Sequence, residues 1–188
     1  MGRSVCILLL KWGKPMNDVK AVLEALVFVS DVPVSVKKLK ELLEDVEEGQ
    51  VKKMLDELVC EYHTRGGGIV LQKVAGGYQF RTPETLSSWI RKLKGGKPLA
   101  LSQAAMETLA VIAYRQPVMK GEIETVRGVD ASAALRGLLE KNLVRIVGRK
   151  DVPGRPIMYG TTKRFLEVFT LNDLSELPTL REIRELEE

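Results

Sequence analysis

VKKMLDELVCEYHTRGGGIVLQKVAGGYQFR, Val51 to Arg81, decides the fold. Its first half places Val51, Met54, Leu55, Leu58, Val59 and Tyr62 at the i, i+3, i+4, i+7 spacing that gathers one apolar stripe on an α-helix. Gly66-Gly67-Gly68 ends that helix, since glycine takes left-handed backbone without steric cost. The period then changes. Ile69 to Val74 reads as a strand, Gly76-Gly77 as a turn, and Tyr78-Gln79-Phe80-Arg81 as the returning strand.

Upstream, Val19, Val22, Leu23, Leu26 and Val27 predict a first helix with Asn17 as N-cap, broken by Ser30-Asp31-Val32-Pro33. Ser35 caps a second helix whose inward stripe is Val36, Leu39, Leu42 and Leu43. Three helices followed by a hairpin is the winged-helix order. Downstream, Thr82-Pro83 reads as N-cap and N1 of a helix carrying Leu86, Trp89, Ile90 and Leu93, and Gly95-Gly96-Lys97-Pro98 as a linker.

The plan then repeats. Ser102 caps a helix through Tyr114, a short helix covers Met119 to Val126, and a third covers Asp130 to Asn142. Val144 to Val147 and Ile157 to Gly160 read as strands around a Gly/Pro-bearing loop, the second wing. Leu23-Glu24-Ala25-Leu26 aligns with Met106-Glu107-Thr108-Leu109, and Pro33-Val34 with Pro117-Val118. One unit used twice explains both. Thr162 caps a last short helix with Phe165, Leu166 and Phe169. The expected class is therefore mainly α with small β-hairpins, as two tandem winged-helix domains. The expected division is an N-terminal extension over 1–16, a first domain over 17–94, a linker over 95–100, a second domain over 101–169 and an acidic tail over 170–188.

Composition bounds the function. The 188 residues are 45% hydrophobic and 5% aromatic, enough apolar material for one or two helical cores. A net charge of +4 is well short of a chain held mainly by phosphate contacts. Two cysteines, Cys6 and Cys60, and the single His63 exclude a cysteine-rich zinc site and a disulfide framework, so neither metal nor cofactor is expected, in a reducing compartment. The apolar run Val5 to Leu10 is too short for a signal or membrane segment; Met1 to Pro15 reads as disordered or as the product of a misassigned start, with Met16 the true one.

No catalytic constellation emerges. His63 has no partner histidine, Gly66-Gly67-Gly68 lacks the Lys-Ser/Thr of a phosphate loop, and Glu122 and Glu124 lie on a polar helix surface. A winged helix raises a DNA-binding regulator as the alternative. Against it, the third helices turn outward Lys52, Lys53, Asp56, Glu57 and Glu61 in one domain, and Ser132, Ala133, Arg136, Gly137 and Glu140 in the other. Neither set is a cationic or base-reading face. The second wing differs, with Arg145, Arg149, Lys150 and Arg155 around Asp151 and prolines at 153 and 156 stiffening it.

The stretch Leu101 to Thr162 carries Ala113-Tyr114-Arg115-Gln116-Pro117, Arg127-Gly128-Val129-Asp130 and Gly148-Arg149-Lys150-Asp151-Val152-Pro153-Gly154-Arg155-Pro156. On these motifs, and on Val22 to Ser30, the chain resembles the segregation and condensation protein B (ScpB) family from about Val19 to Pro178. Met106 stands where leucine is expected, a volume-conserving change. The resemblance implies a subunit without enzymatic activity that dimerises through its N-terminal domain. It implies direct binding to the kleisin ScpA, which bridges the SMC ATPase heads, in chromosome condensation and segregation, within the cytoplasm and at the nucleoid. DNA association is expected to be weak or indirect, and membrane association absent. Candidate kleisin contacts are Tyr114, Arg115, Gln116, Arg149, Lys150, Asp151, Arg155 and Tyr159; candidate dimer contacts are Val27, Phe28 and Val29.

Overall fold

A computed structural model describes residues 18–95, 100–179 and 182. The expected extension with Met16, the Asn17 cap, residues 96–99 of the linker and most of the tail beyond Thr179 lie outside the described residues.

The first domain runs α1 (Val19–Val29), α2 (Val36–Leu42), α3 (Glu48–Arg65), β1 (Val70–Val74), β2 (Gly77–Arg81) and α4 (Ser87–Lys94). Asp18, one residue past the expected cap, starts α1: its carboxylate accepts from the amides of Lys20 and Ala21 at 3.1 and 3.4 Å. Ser35 caps α2 by accepting from the Lys38 amide at 3.3 Å. Gly66, in left-handed backbone, closes α3. Leu23, Val27, Leu39, Val51, Leu55, Leu58, Leu71 and Tyr78 form the first core. Leu42 is exposed rather than inward, because α2 ends there and Leu43, at the C-cap, packs on the core instead. The helix expected from Thr82-Pro83 begins only at Ser87. Pro83 caps a 3-10 turn over Glu84–Leu86 first, and Trp89 and Leu93 face outward.

The second domain runs α5 (Gln103–Arg115), β3 (Val118–Met119), α6 (Lys120–Arg127), α7 (Ser132–Glu140), β4 (Val144–Arg149), β5 (Ile157–Thr161) and α8 (Lys163–Phe169). Its sheet has the order β3-β5-β4. Helix α7 starts two residues later than expected because the Asp130 carboxylate takes the Ser132 amide at 3.0 Å. Leu109, Ile112, Ile123, Leu135, Leu138, Leu143 and Phe165 fill the second core.

The duplication is visible in the pairing. Val34 exchanges both main-chain bonds with Tyr78 at 2.9 Å, and Val118, at the aligned position, pairs with Tyr159. Each domain is thus the three-helix, winged-hairpin unit.

Among the described residues, hydrogen bonds join the domains at Arg81 and Ala75. The Arg81 guanidinium donates to the Glu167 carbonyl at 2.7 Å and to Thr170 Oγ1 at 3.0 Å, while the Ala75 amide donates to the Leu171 carbonyl at 2.8 Å. The stretch after α8 is not a purely solvated tail. Leu171 and Leu177 pack against the second core, because apolar side chains there find a partly open rim to cover.

Candidate functional site

Helix α5 ends at Arg115, and the chain turns through a cis Gln116-Pro117 bond into β3. Tyr114 is 41% exposed, Arg115 is exposed, and together they form a corner. Gln116 is inside it and works as a clasp: its Oε1 accepts from the Thr161 amide at 2.8 Å, and its Nε2 donates to Thr161 Oγ1 at 2.9 Å. The amide side chain takes the place of one more rung of sheet beyond the two-residue β3. Room for it exists because residue 160 is glycine; a Cβ there would lie 2.9 Å from Gln116 Oε1. Arg145 backs the same end of the hairpin, its Nε donating to the Thr161 carbonyl at 3.3 Å.

The wing is a shaped turn. The Lys150 amide donates to the Pro156 carbonyl at 2.9 Å, the Arg155 amide to the Val152 carbonyl at 2.8 Å, and Gly154 has φ +85°. Arg149 spends one donor inside the wing, on the Arg155 carbonyl at 3.1 Å. Arg149, Lys150, Asp151 and Arg155 are all exposed.

These two groups do not form one cluster. Thr161, against Gln116, and Ile157, at the start of the wing, are separated by four strand steps, about 13 Å at ~3.3 Å per residue. The eight candidate residues therefore divide into an α5 corner and a wing tip. Two of them serve the fold. Gln116 is the clasp, and Tyr159, 9% exposed, pairs with Val118 and Ile146 inside the second core.

In the first domain Val27 is 1% exposed and belongs to the core, which removes it from the dimer candidates. It lies on the inward stripe with Leu23, one helical turn before it. Phe28 and Val29 are 65% and 80% exposed. Phe28 meets Phe80 edge to face at 6.0 Å, and both line a groove of about 630 Å³ with Ile69, Gln79 and Arg81.

On α3 the acidic side chains are largely mated, while Lys52 and Lys53 are exposed. Lys20 pairs with Glu57 and Glu61 at 3.2 and 2.6 Å, and Lys73 pairs with Asp56 at 2.8 Å. Burial, then the hydrogen bond to Asp56, push the Tyr78 phenol far above its ordinary pKa. Burial would raise Asp56, but the bonds from Lys73 and Tyr78 outweigh it and hold that carboxyl low. These mated carboxylates form a structural network and keep the face from being a purely cationic one. Among the described residues no group of acidic, histidine and cysteine side chains is arranged to hold a metal ion, and no helix is long and apolar enough to cross a membrane.

Sequence reasoning did not find Arg81 or the clasp role of Gln116. The Gly160-Thr161 pair facing a glutamine was the available signal, but 45 residues separate the partners.

Comparison with known proteins finds one family across both domains. The family described as "Segregation and condensation complex subunit ScpB" matches residues 21–180, across both domains. Segregation and condensation protein B of Syntrophotalea carbinolica is 48% identical over 169 residues, covering 90% of this chain and 85% of that protein. The protein of the same description from Moorella thermoacetica is 46% identical over 167 residues, covering 89% and 85%. A solved structure described as a dimer of the ScpB N-terminal domain complexed with ScpA peptide is 29% identical, covering 39% of this chain and 91% of that one, at a TM-score of 0.37. With its two winged-helix units inside the matched span, this chain belongs to the family of segregation and condensation complex subunits ScpB.

Proposed function

We propose that this chain is a non-catalytic accessory subunit of the SMC–ScpA complex in chromosome condensation and segregation, acting in the cytoplasm at the nucleoid. It pairs with a second copy through the first domain and docks a segment of the kleisin ScpA on the second, reaching the SMC ATPase through ScpA. Family membership over both domains supports the setting. The observation that carries the docking surface is the Tyr114-Arg115 corner: an exposed aromatic and a cation on a turn that Gln116 holds rigid. A preorganised corner of that composition suits a hot spot, because little entropy is lost when it is covered.

The second-copy contact rests on Phe28 and Val29, exposed apolar side chains beside a groove of mixed lining, which a lone small domain gains nothing by exposing. The wing tip, with Arg149, Lys150 and Arg155, supplies the weak DNA association, through a few phosphates only. The DNA-binding regulator stays the alternative, and Asp56, Glu57 and Glu61, interleaved with Lys52 and Lys53 on α3, count against it.

Two measurements test this. Purification of the native assembly should recover ScpA and SMC with the chain; recovery of neither would overturn the reading. Light scattering at tens of micromolar should give a dimer that Phe28→Asp converts to monomer, and a monomeric wild type would refute the pairing.

A further inference from the structure

Tyr114, the outermost group of the docking corner, is already occupied by the chain itself. Its phenol donates to the Pro178 carbonyl at 2.6 Å. The residues that bring Pro178 there form a strap, Thr170 to Pro178, which leaves α8 with a bond from the Leu171 amide to the Leu166 carbonyl at 2.9 Å. Leu171 and Leu177 lie half-buried against the second core, while Leu174, on the intervening 3-10 turn, points largely outward.

The strap shapes itself. Asp173 accepts from the Ser175 amide at 2.8 Å, and Glu176 accepts from the Asn172 amide at 2.7 Å. Its carboxylates are thus used to fold the turn. Thr170 and Leu171 are anchored to both domains, but from Asn172 onward the hold reduces to Leu177 and the Tyr114–Pro178 bond, so that end can exchange.

Its sequence has a period of its own. Leu171-Asn172-Asp173, Leu174-Ser175-Glu176, Leu177-Pro178-Thr179, Leu180-Arg181-Glu182, Ile183-Arg184-Glu185 and Leu186-Glu187-Glu188 place a branched aliphatic residue at every third position, with an acid closing five of the six triplets. A period of three is that of a 3-10 helix, the form the strap takes at Leu174–Glu176.

We propose that the strap is a built-in competitor for the partner: it covers the corner at the end of α5, and the ScpA segment that docks there has the same chemistry, aliphatic residues three apart separated by polar and acidic ones. The inference rests on the docking reading above and adds what the surface selects and how its access is limited. Arg115, exposed beside Tyr114, is the cation that an acidic residue of the partner segment would meet.

The test uses the full chain with Leu177→Asp, which breaks the apolar hold of the strap at the rim, and with Leu177→Ala as a milder second variant. Both should bind ScpA about five- to tenfold more tightly than wild type, because the tethered competitor has an effective concentration in the millimolar range. A synthetic peptide of residues 170–188, added in trans, should displace ScpA from Leu177→Asp and shift the Tyr114 ring resonances with millimolar affinity. Unchanged or weaker ScpA binding by the folded variants would overturn the competitor. If ScpA binds none of the three chains, the docking reading falls, and the peptide titration alone then decides the strap: ring shifts at Tyr114 uphold self-occupancy, and their absence up to several millimolar removes it.

Discussion

Arg81 reaches across the domain boundary to the main-chain oxygen of Glu167, at 2.7 Å, and binds Thr170 with its other terminal nitrogen, while its Nε donates to Gln79. Hydrogen bonds from a charged donor are worth about 1.5–3 kcal/mol each when half-buried. Arg81→Met keeps the aliphatic stem and loses the donors. The two cores should then stay folded but move apart, seen as a larger radius of gyration by small-angle scattering and a split thermal transition. Identical scattering profiles would show that the Ala75–Leu171 bond suffices alone.

Two glycines differ in what surrounds them. A Cβ on Gly77 would meet the main chain of Val34 at 2.8 Å, whereas one on Gly160 would meet the side chains of Gln116 and Val147 at 2.9 Å. Side chains can give way where a paired backbone cannot. Gly77→Ala should cost ~3 kcal/mol and Gly160→Ala ~1 kcal/mol, measured by urea unfolding. The reverse order would contradict the role of the Val34–Tyr78 bridge.

Asp130 titrates low. The Ser132 hydroxyl, then its amide, then Lys120 hold the carboxylate at about 2. Its folded value lies below the unfolded one, about 3.9. The stabilisation is therefore complete above about pH 4 and is lost as pH falls towards 2. Asp130→Asn should flatten the melting temperature against pH in that window and leave the slope near neutrality unchanged. Parallel curves for the two proteins would rule the linkage out.

The separation of corner and wing tip gives a crossed experiment. Arg115→Glu should weaken ScpA binding by roughly 2 kcal/mol while sparing DNA association, since it inverts a contact charge at the corner. Arg149→Glu with Arg155→Glu should do the opposite: ScpA binding within threefold of wild type, low-salt duplex binding lost, and stability within about 0.5 kcal/mol. Loss of ScpA binding in the wing variant would move the docking surface to the tip.

Much of the fold was legible because its signals are local. The stripe Val51, Leu55, Leu58 and the caps Ser35, Ser102 and Thr162 act on residues within a turn or two, and each stands where the pattern put it. Leu42 misled because a helix end, not a period, decides which of two adjacent leucines turns inward. At the candidate site, exposure at Tyr114 and Arg115 follows from a polar helix end. The roles of Gln116 and Tyr159 depend on contacts more than 40 positions away, which no window of sequence contains. The packing of Leu171 and Leu177 is hidden in an acidic tail because spaced leucines among polar residues do not say which core they meet.

The clasp carries a consequence for the chemical ageing of the protein. Glutamine side chains hydrolyse to glutamate chiefly when the next main-chain nitrogen attacks the amide carbon and closes a six-membered imide. Residue 117 is proline, whose nitrogen bears no hydrogen and cannot close that ring. The amide that joins Gln116 to Thr161 is thereby closed to the cyclic-imide route of deamidation, leaving only direct hydrolysis.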